Sequence, residues 1–121
     1  MNNKLIIFFL IGITSLHLAC SAREVNATIT VLDEGEKPVA GATVGFTFSV
    51  NGKFPTYEVI TDSNGVATVT AEGHIRIDVA VSKEGYYKSY YRDKLYRVGA
   101  EKKQVPYDPD EIVTLKEIKK P

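Results

Sequence analysis

Apolar and polar residues alternate along much of this chain after residue 24, with the period of two that is typical of a strand buried on one face only. The alternation recurs in four runs separated by short polar segments. A shorter strand is expected over residues 112–118, and no window has the periodicity of an amphipathic helix. The positions predicted to face the core are Val25, Ala27, Ile29 and Val31; Val44, Phe46, Phe48 and Val50; Ala67, Val69 and Ala71; and Ile75, Ile77, Val79 and Val81.

Turn residues separate these runs. Residues 62–65 read Asp-Ser-Asn-Gly, in which the Asp side chain can accept a backbone hydrogen bond and the Gly tolerates a positive φ. Further turns are expected at 33–38 and 51–55, whereas the segment after Val98 has no period and is expected to form a polar loop. Short strands with turns at this spacing predict an all-β fold: a single antiparallel β-sandwich of about seven strands, Ig-like or transthyretin-like, over residues 25–121.

Three segments of the predicted sandwich resemble known families. They are residues 29–44 (ITVLDEGEKPVAGATV), 61–69 (TDSNGVATV) and 81–86 (VSKEGY). They resemble the carboxypeptidase regulatory-like domain and the invasin-type bacterial Ig-like repeat. The resemblance implies a small sandwich with a proline-set bend at 37–42 and no active site of its own, and it does not extend to the tail beyond Arg92.

The first part of the chain has a different pattern. Residues 5–18 are apolar almost without interruption and follow the single positive charge of Lys4. As a helix, about 14 residues rise about 21 Å, which is short of the hydrocarbon core of about 30 Å. Residues 1–19 are therefore predicted to be an export signal peptide.

The end of this leader resembles the type II leader of bacterial lipoproteins, in which a cysteine preceded by a small residue receives diacylglycerol before cleavage. Here Ala19 precedes Cys20, the one cysteine of the chain, although His17 and Leu18 depart from the usual pattern. The resemblance implies lipid attachment at Cys20, an anchor and short linker over residues 20–24, and a membrane partner in the cell envelope. Ser21 in the next position favours the outer membrane. The alternatives are secretory cleavage after residue 21 or 22, and an uncleaved anchor.

Composition narrows the classes of function. The chain has 15 basic and 15 acidic side chains, and this balance argues against a general nucleic-acid binder. After the leader the only histidine is His74, expected on the solvent face of a strand with Arg76 and Asp78. One exposed histidine gives no catalytic triad and no zinc site, and the acidic residues at 108–111 lack the spacing of a calcium loop. No enzyme activity, metal or cofactor is predicted.

Six of the seven tyrosines lie between residues 86 and 107, together with many of the basic residues. In an extended strand Tyr86, Lys88, Tyr90 and Arg92 share one face, which suits stacking on sugar rings and ion pairs with acidic groups. Envelope glycans are the predicted ligands of this face. Partial packing of the two tyrosines and a protein interface remain open, and Tyr87 has the spacing of a tyrosine corner.

The leading hypothesis is therefore a lipid-anchored envelope β-sandwich that acts as a non-catalytic binding module. A second hypothesis is a structural docking lipoprotein that recruits a protein partner by strand addition at a sheet edge. A third is a secreted accessory domain of a separate enzyme, which only the regulatory-like resemblance suggests.

Overall fold

The computed structural model describes residues 23–119, and within that range the chain forms nine strands and no helix. No helix of this range is long and apolar enough to cross a membrane. The predicted signal peptide and the lipid-attachment residue Cys20 lie outside the described residues. The strands are β1 (Arg23–Leu32), β2 (Thr43–Phe48), β3 (Thr56–Ile60), β4 (Val66–Gly73), β5 (Arg76–Ser82), β6 (Ser89–Lys94), β7 (Tyr96–Val98), β8 (Gln104–Pro106) and β9 (Asp110–Thr114).

Seven of these strands form two sheets, and this confirms the predicted β-sandwich. One sheet has the order β4-β1-β9 and the other the order β3-β2-β5-β6, while β7 and β8 form a separate two-stranded hairpin. All pairs are antiparallel except that of β1 with β9, which is parallel, with Thr28 opposite Asp110. The predicted antiparallel sandwich thus contains one parallel pair, because the hairpin returns the chain to the end where β1 begins.

The core lies between the two sheets and consists mostly of the predicted inward positions. Each fully buried Val, Ile or Phe contributes roughly 1.5–3 kcal/mol to folding relative to an exposed position. Val50, Val69 and Ala71 are only partly buried at its rim. The buried residues of the core include Val25, Ala27, Ile29, Val31, Val44, Phe46, Phe48, Ala67, Ile77, Val79 and Val81, together with Leu95, Val113 and Leu115.

One apolar position and the bounds of the last strand differ from the prediction. Ile75 is 62% exposed rather than buried, because residues 74–75 form the bend between β4 and β5 and the alternation starts only at Arg76. The last strand is β9 at Asp110–Thr114 instead of 112–118, and Ile112 is 63% exposed. Ile112 lies opposite Thr30 of β1, whose side chain faces away from the core. The side chain of Ile112 therefore faces away from the core as well.

The turn at residues 62–65 forms as predicted. The Asp62 carboxylate accepts hydrogen bonds from the amides of Asn64 and Val66 at 2.9 and 3.0 Å. Gly65 has a φ of 75°, and a Cβ at this position would lie 2.5 Å from the carbonyl oxygen of Val31. The glycine is thus required both by the backbone conformation and by the close approach of β1.

The segment after Val98 is not the loop that the sequence predicted. It forms the β7–β8 hairpin, which is closed by hydrogen bonds between Gly99 and the residues at 102–103. Val98 and Val105 are both exposed and only Tyr96 of the two strands packs against the core, so the hairpin leaves no alternating pattern in the sequence. At its base the Tyr107 amide donates to the Leu95 carbonyl oxygen at 3.0 Å.

Candidate functional site

The outer face of the four-stranded sheet contains a shallow groove of about 350 Å³. The strand register places Glu58, Gly45, Ala80 and Tyr90 side by side in one row across β3, β2, β5 and β6. The two middle positions carry the smallest side chains, while the outer two carry a carboxylate and an aromatic ring. The row therefore has a low floor between two taller walls.

A second row lies beside the first and is polar throughout. Thr47 and Thr56 are opposite each other in β2 and β3, and their hydroxyl oxygens are 2.7 Å apart. On the other side of Thr47 lies Asp78, whose carboxylate accepts a hydrogen bond from Arg92 and lies 3.4 Å from Arg76. This row offers hydroxyl and charged groups, which can donate and accept hydrogen bonds, beside the floor of the groove.

Space remains above Gly45 in the middle of the floor. A Cβ built on this residue would meet no atom closer than 3.8 Å, and the nearest atoms are the Ala80 carbonyl oxygen and a Thr56 methyl group. The φ of Gly45 is not positive, so neither the backbone nor a steric contact requires glycine here. The absence of a side chain keeps the floor of the groove low.

Three of the four predicted ligand residues lie on this side of the sheet. Tyr90 is 72% exposed and forms one wall of the groove, and Arg92 follows it on the same face of β6. Lys88 precedes the strand, and its ammonium group lies 5.6 Å from the centre of the Tyr90 ring, within the range of a cation–π contact. The aromatic and cationic surface predicted from the sequence thus exists in part.

Tyr86 does not belong to this surface, and the prediction that it shares a face with the other three was wrong. Gly85 has a φ of 89° and the Tyr86 amide donates to the Lys83 carbonyl oxygen, so a turn interrupts the extended chain before β6 begins at Ser89. Tyr86 instead packs against the core and makes a β-bridge with Glu117. The strand parity assumed from the sequence holds only from Ser89 onward.

Tyr87 is not a tyrosine corner. Its side chain is 57% exposed and its hydroxyl forms no hydrogen bond within residues 23–119. Only its backbone is held, by an amide hydrogen bond to the Lys116 carbonyl oxygen at 2.8 Å. A corner requires a buried phenol that bonds back to the upstream backbone, and the turn before β6 points Tyr87 into solvent.

The remaining groove residues were missed by the sequence analysis, although part of the signal was present. Gly45, Thr47, Asp78 and Ala80 occupy outward positions of β2 and β5, between inward positions that were predicted correctly over 44–48 and 77–81. The alternation therefore identifies them as solvent-facing. Glu58 carried no such signal because β3 is mostly exposed, and strand order, which brings these residues into rows, cannot be read from periodicity.

A second cluster explains why tyrosines accumulate in the tail. The Tyr91 hydroxyl donates to the Asp93 carboxylate at 2.6 Å, and Arg97 donates to the same carboxylate at 2.7 Å. The Arg97 guanidinium lies 3.7 Å from the centre of the Tyr107 ring, and the Tyr107 hydroxyl donates to Glu111 at 3.0 Å. These contacts join β6 of one sheet to β9 of the other, so the cluster closes one side of the sandwich.

The pKa shifts in this cluster follow from burial and from hydrogen bonds between its members. Burial raises the pKa of Tyr91, and its hydrogen bond to Asp93 raises it further. Burial alone would raise the pKa of Asp93, but the hydrogen bonds from Tyr91 and Arg97 outweigh it, so this pKa lies below the ordinary value. Burial and the hydrogen bond to Glu111 raise the pKa of Tyr107. The carboxylate of Asp93 is thus stabilised and both phenols stay protonated, an arrangement suited to structural cohesion.

His74 lies in the bend between β4 and β5 and not on the solvent face of a strand as predicted. It is half-buried, and its Nδ1 atom is buried without a hydrogen-bond partner among the described residues. Within residues 23–119 no group of three or more His, Cys, Asp or Glu side chains is placed to hold a metal ion.

Comparison with known proteins supports the fold and nothing finer. The chain matches 3-chlorocatechol 1,2-dioxygenase from Rhodococcus opacus with a TM-score of 0.60 at 13% identity over 81% of this chain and 61% of that one. Catechol 1,2-dioxygenase from Pseudomonas arvilla gives 0.57 at 14% identity, over 83% and 54%. The major pilin subunit BcpA of Bacillus cereus gives 0.54 at 17% identity, over 77% and 29%.

The chain thus spans about three fifths or less of the length of each of these structures. At such identities the likeness shows a shared β-sandwich alone. No family model matches the sequence, and no curated protein does so either. The resemblance to the regulatory-like domain and to the invasin-type repeat stays a prediction.

Proposed function

We propose that this chain is a lipid-anchored, non-catalytic binding module of the cell envelope, whose groove on the outer face of the four-stranded sheet takes a glycan. The observation that carries the proposal is the row Glu58–Gly45–Ala80–Tyr90, in which a low floor separates an acidic wall from an aromatic one. A sugar ring has an apolar face that stacks on an aromatic side chain and hydroxyl groups that donate to carboxylates and threonines.

Charge favours a particular kind of glycan. Lys88 and Arg92 flank Tyr90, and Arg92 is already paired with Asp78. Lys88 forms no ion pair within residues 23–119, so it remains available to a carboxylate or phosphate of the ligand. Envelope glycans with acidic substituents, as in peptidoglycan and lipopolysaccharide, offer both a stacking ring and an anionic group.

The anchoring part of the proposal rests on the leader. Diacylglycerol on Cys20 would hold the domain at the membrane, because each buried CH₂ contributes about 0.8 kcal/mol and two or more chains make release negligible. With Ser21 next to the cysteine, we propose the outer membrane as the site. The intact mass of the chain from its native membrane fraction tests this: a chain that begins at Cys20 with added diacylglycerol is expected, and an unmodified chain beginning near Arg23 would contradict it.

Two variants test the groove: both replace an exposed tyrosine by alanine, one inside the groove and one outside it. Tyr90→Ala removes the aromatic wall and should weaken binding to soluble peptidoglycan fragments or to lipopolysaccharide core oligosaccharide about tenfold. Tyr87→Ala is the matched control, because Tyr87 is also exposed but lies in the turn before β6, outside the groove. Equal affinities of the two variants and the wild type would remove the groove as the binding site.

One observation favours a docking lipoprotein as a second candidate. Strand β3 is an edge strand with four of its five residues exposed, and it contains neither lysine nor proline. Such an edge is open to an added strand. The pilin subunit among the structural neighbours belongs to an assembled structure by its name, and its fold likeness makes an assembly role for this chain a reasonable alternative.

The β3 edge has a proline test that spares the sheet itself. The Phe48 amide donates to the Pro55 carbonyl oxygen, and the Thr61 amide donates to the Ala42 carbonyl oxygen. Between these two pairs, hydrogen-bonded and non-hydrogen-bonded pairs of β2 and β3 alternate. Ile60 and Thr43 form a non-hydrogen-bonded pair, so the Ile60 amide faces away from β2. Ile60→Pro therefore removes a free donor only. Loss of a cross-linked partner with Ile60→Pro but not with Ile60→Ala would favour docking, and an unchanged partner would exclude strand addition at β3.

A further inference from the structure

We infer that the end of the sandwich at which β1 begins is a membrane-facing surface that lies on anionic phospholipid headgroups. This orientation rests on the anchoring at Cys20 in the proposed function, whereas the surface itself is a property of residues 49–55, 74–76 and 94–106. These three connections lie at the same end, because β2 and β6 finish there while β1 and β5 start there.

Hydrogen bonds join the three connections into one surface. The His74 amide donates to the Ser49 carbonyl oxygen at 2.9 Å, and the Ile75 amide donates to the Ser49 hydroxyl at 3.2 Å. The Leu95 amide in turn donates to the Ile75 carbonyl oxygen at 2.9 Å, at the base of the β7–β8 hairpin. The surface is thus held by backbone contacts and does not depend on loop mobility.

Apolar side chains are exposed on each connection. Phe54 and Ile75 are 59% and 62% exposed and line one open apolar cavity of about 250 Å³ with Gly52. On the hairpin, Val98 is 72% and Val105 46% exposed. Gln104, the residue opposite Val98, lines a cavity with Ile75, so the hairpin lies beside the Ile75 bend. Val98 shares the face of Gln104, whereas Val105 lies on the opposite face with Arg97. Exposed aromatic and aliphatic side chains at one end of a domain are suited to the boundary between headgroups and acyl chains.

The same connections are strongly basic. Residues 49–55, 74–76 and 94–106 contain six Lys or Arg and one acidic residue, Glu101. None of their four lysines forms an ion pair within the described residues. Other carboxylates near this end lie outside the connections: Asp108 pairs with Arg23, Asp93 pairs with Arg97, and Glu24 and Glu72 lie opposite each other on the outer face of the other sheet. Unpaired lysines beside apolar side chains complement anionic lipids. The lysines are Lys53, Lys94, Lys102 and Lys103.

The length of chain before the sandwich identifies the bilayer as the occupant. Arg23, the first residue of β1, follows Cys20 by three residues, and three extended residues span at most about 11 Å. A sandwich tethered through acylated Cys20 therefore stays within about one headgroup layer of the bilayer. The end that carries Arg23 is the one that must meet it. The opposite end, with the turn at 62–65, lies one strand length away.

The test uses two variants, each with one introduced thiol at one end of the sandwich. Each variant is recovered from its membrane fraction, and its intact mass is recorded first. Gln104→Cys lies on the proposed surface, and Ser63→Cys is the control at the other end; both side chains are exposed. Each thiol carries a fluorophore, and the protein is reconstituted in phosphatidylcholine vesicles with phosphatidylglycerol. We expect iodide in the water to quench position 104 several-fold less than position 63, and brominated lipid to quench position 104 more.

Charge reversal separates the lysines from the anchor. Lys102→Glu with Lys103→Glu should reduce the shielding of position 104, which the tether alone keeps only partly, while Lys116→Glu with Lys119→Glu, also exposed but at the other end, should leave it unchanged. Equal iodide quenching at positions 104 and 63 in an acylated chain overturns the surface and leaves the anchor. Shielding of position 104 in a chain without acyl groups supports the surface and removes the anchor. An unacylated chain that is not shielded overturns both.

Discussion

Gly45 lies directly opposite Ala80 in the register of β2 and β5, so the centre of the outer sheet face carries the two smallest side chains of the row between Glu58 and Tyr90. Strand positions usually favour β-branched or aromatic residues, and a central glycine weakens a strand. The site thus gives up local strand stability and gains a low floor. This exchange is expected of a binding surface.

Filling the floor should abolish ligand binding without harming the fold. Gly45→Val places a side chain where a Cβ meets nothing closer than 3.8 Å, so we expect an unchanged or raised melting temperature together with loss of glycan binding. Thr68→Val is the control, because Thr68 is exposed on the outer face of the other sheet. Retained binding in Gly45→Val with an intact fold would show that the ligand lies elsewhere.

Thr61 is a buried polar residue on which the start of β2 depends. It is 4% exposed, and its hydroxyl donates to the Val39 carbonyl oxygen at 2.7 Å and accepts from the Ala42 amide at 2.9 Å. Thr61→Val leaves both backbone groups without this partner and should lower the free energy of unfolding by about 2–4 kcal/mol. Thr61→Ser keeps the hydroxyl and should cost less in urea titrations; equal losses in the two variants would contradict the hydrogen-bonding role.

Alanine substitutions at two glycines distinguish the cost of a left-handed backbone conformation from the cost of steric overlap. Gly65 and Gly52 have φ values of 75° and 78°, but only at Gly65 would a Cβ approach another atom, the Val31 carbonyl oxygen at 2.5 Å. We expect Gly52→Ala to cost about 1–2 kcal/mol from the left-handed conformation. Gly65→Ala should cost about 1–3 kcal/mol more because of the overlap. Thermal or urea unfolding of the two variants measures the difference, and equal costs would contradict it.

Asp93 makes stability depend on pH in acid. Its folded pKa lies below the ordinary 3.8, so its contribution is present in full above that value and is lost as the pH falls through the folded pKa. Asp93→Asn should therefore melt lower than the wild type at neutral pH, with a gap that narrows in acid. A series of melting curves from neutral to acidic pH checks this. A gap that stays constant across the series would mean that ionisation of Asp93 does not stabilise the fold.

The core of the fold could be predicted from the sequence because period-two alternation directly records which side chains are buried. Phe46 and Ile77 were assigned correctly on that basis alone. The same rule failed at Ile75 and Tyr86, where a bend and a positive-φ glycine interrupt the strand and reset the parity. Periodicity describes a strand only between such interruptions.

The candidate site was less accessible to sequence reasoning, because it is built from strand neighbours that are far apart in the chain. Tyr90 was recognised from composition, but Glu58 stands beside it only through the order β3-β2-β5-β6. The cluster of Asp93, Arg97 and Glu111 likewise depends on β9 joining the sheet opposite β6. Periodicity contains no information on strand order, so the tyrosines of the tail suggested a surface, whereas Tyr86, Tyr91, Tyr96 and Tyr107 pack against the core or belong to this cluster.

The central claim is that the groove on the four-stranded sheet takes an envelope glycan. Amide NMR spectra of the labelled protein, recorded as soluble peptidoglycan fragments and then lipopolysaccharide core oligosaccharide are added, test it residue by residue. We expect shifts to concentrate at Gly45, Ala80 and Tyr90 and to be lost in Tyr90→Ala. Spectra that do not change with either glycan, or that change only at the β7–β8 hairpin or the β3 edge, would contradict it.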